Sequence, residues 1–278
     1  MENSEISDSP VITREGKILK IIFNRPTRGN SLDPPTLIHM RQALIEAQEN
    51  EKIRVILLTG AGEKDFCTGI DVNSARDLSP ENKTNIANIS GDIATLLYHG
   101  KPTVVAINGR AMGMGIVFAT AADFRYSVDT ATFQMPEVNV GIFPGASCIP
   151  LMTRVCGVSW TRKLLLGGDP MTAPLAKTAQ IIDEIVSHEE LLQKSKEMAQ
   201  SLSRKNALLL KNIKLAINNA PELPYNQMIA LETELADYYR WDNPAQKIQK
   251  IKEKYRLDFQ LTGDPAKLLD EYSKLAPK

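Results

Sequence analysis

Two glycine-bearing loops contain the residue types that could do chemistry. One covers residues 64–71 and the other residues 108–115, and each follows an apolar run of strand length. Glycine lets the backbone approach a ligand closely, and the start of a helix favours developing negative charge. Two backbone N–H groups aimed at one carbonyl oxygen would form an oxyanion hole, worth on the order of 3 kcal/mol for each donor. The same segments also fit two tight turns with no chemical role.

Residues typical of other chemistries do not form the required patterns. The segment 113–115 begins like a dinucleotide fingerprint, but Phe118 stands where the third glycine is needed. The histidines are scattered, so no cluster of donors predicts a metal site (His39, His99 and His188). Cys67 could be a nucleophile, but a small apolar residue before a turn is the favoured interpretation.

Composition limits the partners and the location that we expect. The 278 residues carry 33 basic and 33 acidic side chains, so no bulk charge attracts nucleic acid or an anionic membrane. The sequence contains no run of about 18 apolar residues, so no membrane span is predicted. The three cysteines form no CxxC pair, which suits a reducing compartment. We therefore expect a cytoplasmic protein with no nucleic-acid or membrane partner, preceded by a flexible leader at residues 1–10.

Alternating strand and helix patterns position the two loops. Strands are predicted at residues 11–14, 18–23, 55–59, 103–107, 125–128 and 132–135, the last two as a pair. Helices are predicted at residues 34–49, after the N-cap Asp33, and at residues 82–98. From about Cys148 the pattern is almost wholly helical and ends in a basic helix at residues 245–255 and a short tail. This order predicts the α/β class, with parallel strands joined by helical crossovers.

Five segments resemble signatures of the crotonase, or enoyl-CoA hydratase/isomerase, superfamily. Residues 66–71 (FCTGID) resemble its F-(C/S/A)-x-G-x-D loop, and residues 106–115 (AINGRAMGMG) its A-x-x-G-x-A-x-G-x-G signature. Residues 136–144 (PEVNVGIFP) resemble the P-E-x-x-x-G-x-x-P segment. The opening at residues 24–32 (NRPTRGNSL) and the segment at residues 165–176 (LLGGDPMTAPLA) complete the set. The resemblance covers nearly the whole chain in family order and spacing.

The resemblance implies a fold, a substrate class and an assembly. The fold is a spiral of ββα repeats, which we place at residues 11–200 together with a CoA-thioester site. A helical C-terminal region at residues 201–278 is expected to mediate self-association as a homotrimer or a dimer of trimers. The expected substrates are acyl-CoA thioesters, so coenzyme A enters as part of the substrate, and neither a separate cofactor nor a metal is expected.

The resemblance also implies roles for individual residues. By position, the oxyanion donors are the backbone N–H groups of Ile70 and Met114, and the acid–base carboxylate is Glu137. Arg28 and Lys254 fall where basic side chains meet the CoA phosphates, although a solvated helix face is the alternative for Lys254. The remaining expected substrate-binding positions are Gly69, Asp71, Gly113, Gly115, Val117 and Phe143. The acyl pocket is expected to draw on the helix at residues 82–98, with residues 96–98 among the candidates.

The number of glutamates favours one reaction within the superfamily. The family's hydratases carry two glutamates, but here the first position is Val117 and only the second is a glutamate, Glu137. One carboxylate can remove a C2 proton from a 3-enoyl thioester and return it to C4. The pattern is therefore closest to the single-glutamate Δ3,Δ2-enoyl-CoA isomerases.

Other outcomes remain open. Hydratase or lyase chemistry is one, and Met114 with Glu137 also resembles carboxymethylproline synthase, which forms a carbon–carbon bond. The segment around Glu137 further resembles 3-hydroxyisobutyryl-CoA hydrolase, but Gly145 stands where that hydrolase has an aspartate. A non-catalytic, CoA-thioester-binding protein is the last alternative, if Glu137 forms a structural ion pair with Arg110 or Arg125.

Overall fold

The computed structural model describes residues 9–275, so most of the predicted leader lies outside the described residues. The strands are β1 Val11–Glu15, β2 Ile18–Phe23, β3 Val55–Gly60, β4 Asp65–Cys67, β5 Thr103–Ile107, β6 Arg110–Met112, β7 Phe124–Val128, β8 Thr132–Gln134, β9 Met171–Thr172 and β10 Glu184–Val186. The α-helices are α1 Pro34–Glu49, α2 Val72–Ala75, α3 Pro80–His99, α4 Met114–Thr120, α5 Cys148–Gly167, α6 Ala173–Thr178, α7 His188–Arg204, α8 Ala207–Asn219, α9 Tyr225–Ala236, α10 Pro244–Tyr255 and α11 Pro265–Leu275. A short 3-10 helix covers Pro136–Val140.

The strands form two sheets. The first has the order β1-β2-β3-β5-β7-β10, and all of its pairs are parallel except the β1–β2 hairpin. The second has the order β4-β6-β8-β9, and its first three strands are parallel. Every residue of the central strand β3 is buried, as its continuous apolar pattern predicts. The predicted α/β class with parallel strands is confirmed.

After the β1–β2 hairpin and α1, three successive turns of the chain each add one strand to each sheet and then a helical segment. β3 and β4 are followed by α2 and α3, β5 and β6 by α4, and β7 and β8 by the 3-10 helix and α5. This is the predicted spiral of ββα repeats. The predicted pairing of the strands at 125–128 and 132–135 was wrong, because the turn between them carries the chain from one sheet to the other. β7 pairs instead with β5 and β10, and β8 with β6 and β9.

An aromatic cluster fixes the loops that follow β4 and β6. The Phe23 ring lies edge-on to Phe66 at 5.4 Å and stacked near Phe118 at 6.4 Å, measured between ring centroids. All three side chains are fully buried, and each contributes on the order of 2 to 3 kcal/mol by burial. Strand β2, strand β4 and helix α4 are thereby held together beneath the two glycine-bearing loops.

Local capping explains where two helices begin. The Asp33 carboxylate accepts a hydrogen bond from the Thr36 N–H at 3.0 Å, and Pro34 occupies the first turn of α1, as predicted. The Ser79 hydroxyl accepts from the Asn82 N–H at 3.3 Å and starts α3, two residues earlier than the pattern predicts. The two helices pack on each other.

The C-terminal part contains more structure than the sequence pattern predicts. The short strands β9 and β10 interrupt the helices, and the predicted boundary at residue 200 falls inside α7. Helices α8, α9 and α10 enclose a small core of their own, formed by Leu215, Leu231, Leu235, Ile248, Ile251 and Leu257. The predicted role of this region in self-association stays a prediction.

The predicted tail is wrong, because residues 265–275 form α11. Asp264 caps this helix by accepting from the Lys267 N–H at 3.1 Å, and Leu268 is fully buried in the main core. Asp92 of α3 accepts from the N–H groups of Thr262 at 2.7 Å and Gly263 at 3.0 Å. The Glu271 carboxylate accepts from Ser79 at the start of α3. The C-terminal segment therefore packs along α3.

Candidate active site

A cavity of about 480 Å³ lies where the two glycine-bearing loops meet helix α3. Ile70 lines it from the loop after β4, and Met114 and Val117 line it from α4. Glu137 and Phe143 line it from the segment after β8. The structure therefore brings both predicted oxyanion donors and the predicted carboxylate to one apolar cavity.

The backbone N–H of Ile70 has no acceptor within the described chain. A parallel bridge with Leu32 uses the residues on either side, since the Leu32 N–H donates to the Gly69 carbonyl at 2.8 Å and the Asp71 N–H donates to the Leu32 carbonyl at 2.9 Å. Met114 is the first residue of α4, so its N–H has no intrahelical acceptor. In residues 9–275, neither N–H donates to another protein group, which leaves both available to a bound carbonyl oxygen.

Gly69 and Gly113 allow the two loops and the carboxylate to approach each other. Both have positive φ, +88° and +50°. A Cβ at Gly69 would lie 3.4 Å from the Met114 nitrogen, and a Cβ at Gly113 would lie 2.9 Å from Glu137 Oε1. Gly115 lies in the first turn of α4 against the Cys67 carbonyl. Because they lack a side chain, these three predicted glycines let the two loops, the donors and Glu137 lie close together.

Glu137 is half-buried in the cavity wall. Burial raises the pKa of its carboxyl, although a hydrogen bond from its own backbone N–H opposes the rise. Its Oε2 atom is buried and has no hydrogen-bond partner in the described part of the chain. The Ile142 N–H donates to its carbonyl at 2.9 Å and fixes the backbone around it. A cavity-lining carboxyl with a raised pKa is suited to exchanging a proton with a bound molecule.

The two arginines that could have neutralised Glu137 have other partners. Arg110 pairs with Asp65, and Arg125 pairs with Asp183 through a 2.6 Å contact. Across residues 9–275, no ion pair involves Glu137. The condition for an inert site, a structural ion pair at Glu137, is therefore not met.

A second cavity, of about 450 Å³, adjoins the first at Ile70 and Val72. Exposed Arg28 and the Asp71 carboxylate also line it. Asp71 accepts from the Ser74 N–H at 3.3 Å and pairs with Arg25 at 2.9 Å. Partial burial raises the pKa of Asp71, but the Ser74 hydrogen bonds and Arg25 outweigh it and leave the pKa below its ordinary value. Asp71 therefore caps α2 and anchors the loop, while Arg28 presents an open positive charge at the cavity.

The comparisons with known proteins agree with this arrangement. Residues 13–261 match the family model described as enoyl-CoA hydratase/isomerase. The chain belongs to that family. A carnitinyl-CoA dehydratase of Escherichia coli strain K12 is 30% identical over 223 residues, which cover 80% of this chain and 85% of that protein. A short-chain-enoyl-CoA hydratase of Clostridium acetobutylicum is 28% identical over 225 residues, covering 81% and 86%.

A solved structure supports the same family fold. The crystal structure of an enoyl-CoA hydratase from Bacillus anthracis superposes with a TM-score of 0.80 at 26% sequence identity. The match covers 88% of this chain and 96% of that one. The spiral of ββα repeats is thus the fold of this enoyl-CoA hydratase/isomerase family member.

Val117 is where this family member departs from the two-glutamate pattern. Its side chain is 1% exposed and lines the cavity near Glu137. Among the described residues that line this cavity, Glu137 is the one carboxylate. Cys67 is also buried, and burial raises the pKa of its thiol to about 12, which fits the packed interpretation. Between residues 9 and 275, no group of three His, Cys, Asp or Glu side chains could hold a metal ion.

Two predicted substrate-binding side chains have different settings. Phe143 lines the cavity with a side chain that is 78% exposed. Lys254 pairs with Glu234 of α9 and lies over the Tyr255 ring, 5.1 Å from its centroid. Lys254 lines neither cavity, so the structure does not bring it to the site within this chain.

Helix α3 contributes residues that the sequence interpretation missed. It faces the cavity with Lys83, Ile86, Ala87 and Ser90, not with the expected residues 96–98. The Ser90 hydroxyl is buried and has no hydrogen-bond partner within residues 9–275. Their spacing of three or four residues marks one helix face. This periodicity was the available signal, but it does not reveal which face meets the cavity.

In residues 9–275, no helix combines the length and the apolar character needed to cross a membrane.

Proposed function

We propose that this family member is a Δ3,Δ2-enoyl-CoA isomerase. The observation that carries the proposal is that Glu137, a carboxylate with no ion-pair partner among the described residues, lines one cavity together with the buried Val117. The residues that line the cavity supply one base, and isomerisation needs one. The adjoining cavity with Arg28 is the proposed path of the CoA moiety.

The proposed reaction moves one proton between two carbons. The thioester carbonyl oxygen accepts hydrogen bonds from the N–H groups of Ile70 and Met114. Glu137 removes a C2 proton, and the electron pair delocalises over the carbonyl and the C3–C4 double bond as a dienolate. The same carboxyl then delivers the proton to C4, and the double bond moves to C2–C3. The base supplies a factor of about 100 to 10,000, and the preorganised donors on the order of 3 kcal/mol each.

An ultraviolet assay with a medium-chain 3-enoyl-CoA tests the proposal. Isomerisation creates the conjugated 2-enoyl thioester, so absorbance is expected to rise with time. The control is the same assay without enzyme. If no conjugated product forms although the thioester binds, the proposal is wrong.

Hydration or dehydration is the second candidate, because the relatives reported above are a dehydratase and a hydratase. In this reaction Glu137 alone would both position water and transfer its proton. Incubation with a 2-enoyl-CoA followed by mass spectrometry discriminates the two reactions, since hydration adds one water to the thioester and isomerisation leaves its mass unchanged. Accumulation of the hydrated thioester as the main product would favour hydration over the proposed isomerisation.

Activity should depend on the raised pKa of Glu137. The carboxyl must be ionised to accept the C2 proton, and burial raises its pKa above the ordinary value for glutamate. The acidic limb of kcat/KM is therefore expected at a higher pH than an exposed glutamate would give, with the rate falling as pH drops through the raised pKa. A profile of kcat/KM for a 3-enoyl-CoA against pH measures this limb. A limb in the ordinary range of exposed glutamates would contradict the assignment of Glu137 as base.

Gly113→Ala is expected to lower kcat/KM about a hundredfold, because a misplaced catalytic group has an effect of that order. The new methyl group would press on Glu137 Oε1, 2.9 Å away, in a backbone conformation that alanine adopts only with strain. Gly16→Ala is the matched control, since Gly16 has φ +62° but open space around a Cβ. Gly16→Ala should lose about 1 kcal/mol of stability, and Gly113→Ala should lose more because its methyl group also meets Glu137. Equal losses of activity in both variants would show that strain, not contact with Glu137, is responsible.

A further inference from the structure

We propose that the acyl cavity binds acyl groups that end in a carboxylate, with Lys83 as the counter-charge. This inference rests on the proposed acyl-CoA function and names the substrate class of the same site. It derives from the charges in the cavity wall, which contains two cationic side chains, Lys83 and Arg76, beside the one carboxylate of Glu137.

Lys83 has no acidic partner along its own helix. The residues three and four positions away are Ser79, Pro80, Ile86 and Ala87, none of which is charged. Glu81, the acidic residue in the first turn of α3, pairs instead with Lys267 of α11. Within the described residues, no ion pair involves Lys83, so its ammonium group can meet a charge brought in by a ligand.

Arg76 is the second cation, and its partner in the protein is neutral. Its guanidinium donates to the Asn73 side-chain oxygen at 3.0 Å, so its charge is not neutralised there. Arg76 follows α2 and lines the same cavity as Lys83. Two cations line this cavity against the single carboxylate of Glu137, and this excess of positive charge favours an anionic ligand and disfavours a cationic one.

Ser90 is a second polar residue of α3 that lines this cavity. Its hydroxyl is fully buried and unpartnered among the residues the structure describes, although a buried hydroxyl normally has a hydrogen-bond partner. Ser90 lies two helical turns, about 10 Å, beyond Lys83 on the same face of α3. Gly91 beside it packs on Ala146, which also lines the cavity. The face of α3 at the cavity thus has an exposed cation at Lys83 and a buried hydroxyl two turns further on, and the cation is the group that a carboxylate-ended acyl chain could meet.

Binding of saturated thioesters tests the inference without any chemical step. Matched pairs are titrated calorimetrically: succinyl-, glutaryl- and adipoyl-CoA against butyryl-, valeryl- and hexanoyl-CoA. The wild-type protein should bind at least one of the carboxylate-ended thioesters as tightly as, or more tightly than, its uncharged match. Lys83→Met, which keeps the apolar stem, should raise the Kd of that thioester about fivefold and leave the Kd of its match within about twofold.

Three controls sharpen the result. Lys83→Arg should retain the preference, because it keeps the charge, and Lys177→Met should also retain it, since Lys177 is exposed on α6 and lines neither cavity. Added salt should reduce the preference, as expected for a charge pair at an open cavity.

The outcomes separate this inference from the proposed function. Tight binding of the uncharged thioesters alone, or equal weakening of both members of a pair by Lys83→Met, would overturn the carboxylate subsite and leave the acyl-CoA function intact. The second result would place Lys83 against the CoA moiety. Failure to bind any thioester would overturn both.

Discussion

Glu137→Gln is expected to lower kcat for a 3-enoyl-CoA about a thousandfold, because it removes the one base among the residues that line the cavity. The amide has nearly the same shape as the carboxyl, and the N–H groups of Ile70 and Met114 remain in place. The Kd of the thioester should therefore stay within about twofold of the wild-type value. Steady-state kinetics and calorimetric titration of the same preparations measure the two quantities.

The stability of this variant is its internal control. A carboxyl whose pKa is raised in the folded protein contributes stability below its unfolded pKa, and that contribution is lost as pH rises through the folded pKa. Glutamine does not ionise, so Glu137→Gln should melt at a higher temperature than the wild type at neutral pH. The difference should vanish in acid. Full turnover by a folded Glu137→Gln protein would refute the proposed mechanism.

Arg25→Ala is expected to reduce the free energy of unfolding by about 3 to 5 kcal/mol, the range for removing one partner of a buried ion pair. The Arg25 side chain is 2% exposed and contacts the carboxylates of Asp71 at 2.9 Å and Asp33 at 3.5 Å. It also donates to the Ser31 carbonyl at 3.0 Å. Its loss would leave the buried Asp33 and the partly buried Asp71 carboxylates without this cation and would free the loop that presents Ile70. Denaturant unfolding followed by circular dichroism measures the effect.

Arg28→Ala is the matched control for Arg25→Ala. Arg28 lies in the same loop but is exposed and lines the second cavity. Its removal should change stability by less than about 0.5 kcal/mol and raise the Kd of a CoA thioester about fivefold, the size of an exposed charge pair. If both substitutions destabilise the protein equally, the buried ion pairs of Arg25 contribute no more to the free energy of unfolding than the exposed charge of Arg28, which contradicts this prediction.

Local sequence patterns predicted the elements but not all of their pairings. Strand β3 and helix α1 are predictable because a buried apolar run and an Asp cap with proline depend on nearby residues alone. The pairing of β7 and β8 depends on where the preceding turns of the spiral lie, and the sequence does not contain that information locally. Helix α11 was missed although Asp264 and Pro265 form a helix-start signal, because Leu268 is buried only through packing on distant helices.

The site shows the same division between motif and packing. Ile70, Met114 and Glu137 occur in short motifs, so their position in the cavity follows from the resemblance and the fold. Lys83 and Ser90 lie in no motif, and their contact with the cavity depends on the rotation of α3 about its axis. Lys254 fits a basic pattern, but its partner in this chain is Glu234.

The strap formed by residues 262–275 gives the far end of the chain an influence on the cavity. Thr262 and Gly263 donate to Asp92, and Glu271 accepts from Ser79, so the strap holds the helix whose other face lines the acyl cavity. A protease cut or a truncation before residue 262 would leave every proposed catalytic group in the chain. The truncated protein would nevertheless lose the contacts that hold α3, the helix of Lys83 and Ser90. Its preference among acyl groups should therefore change more than its turnover of a good substrate.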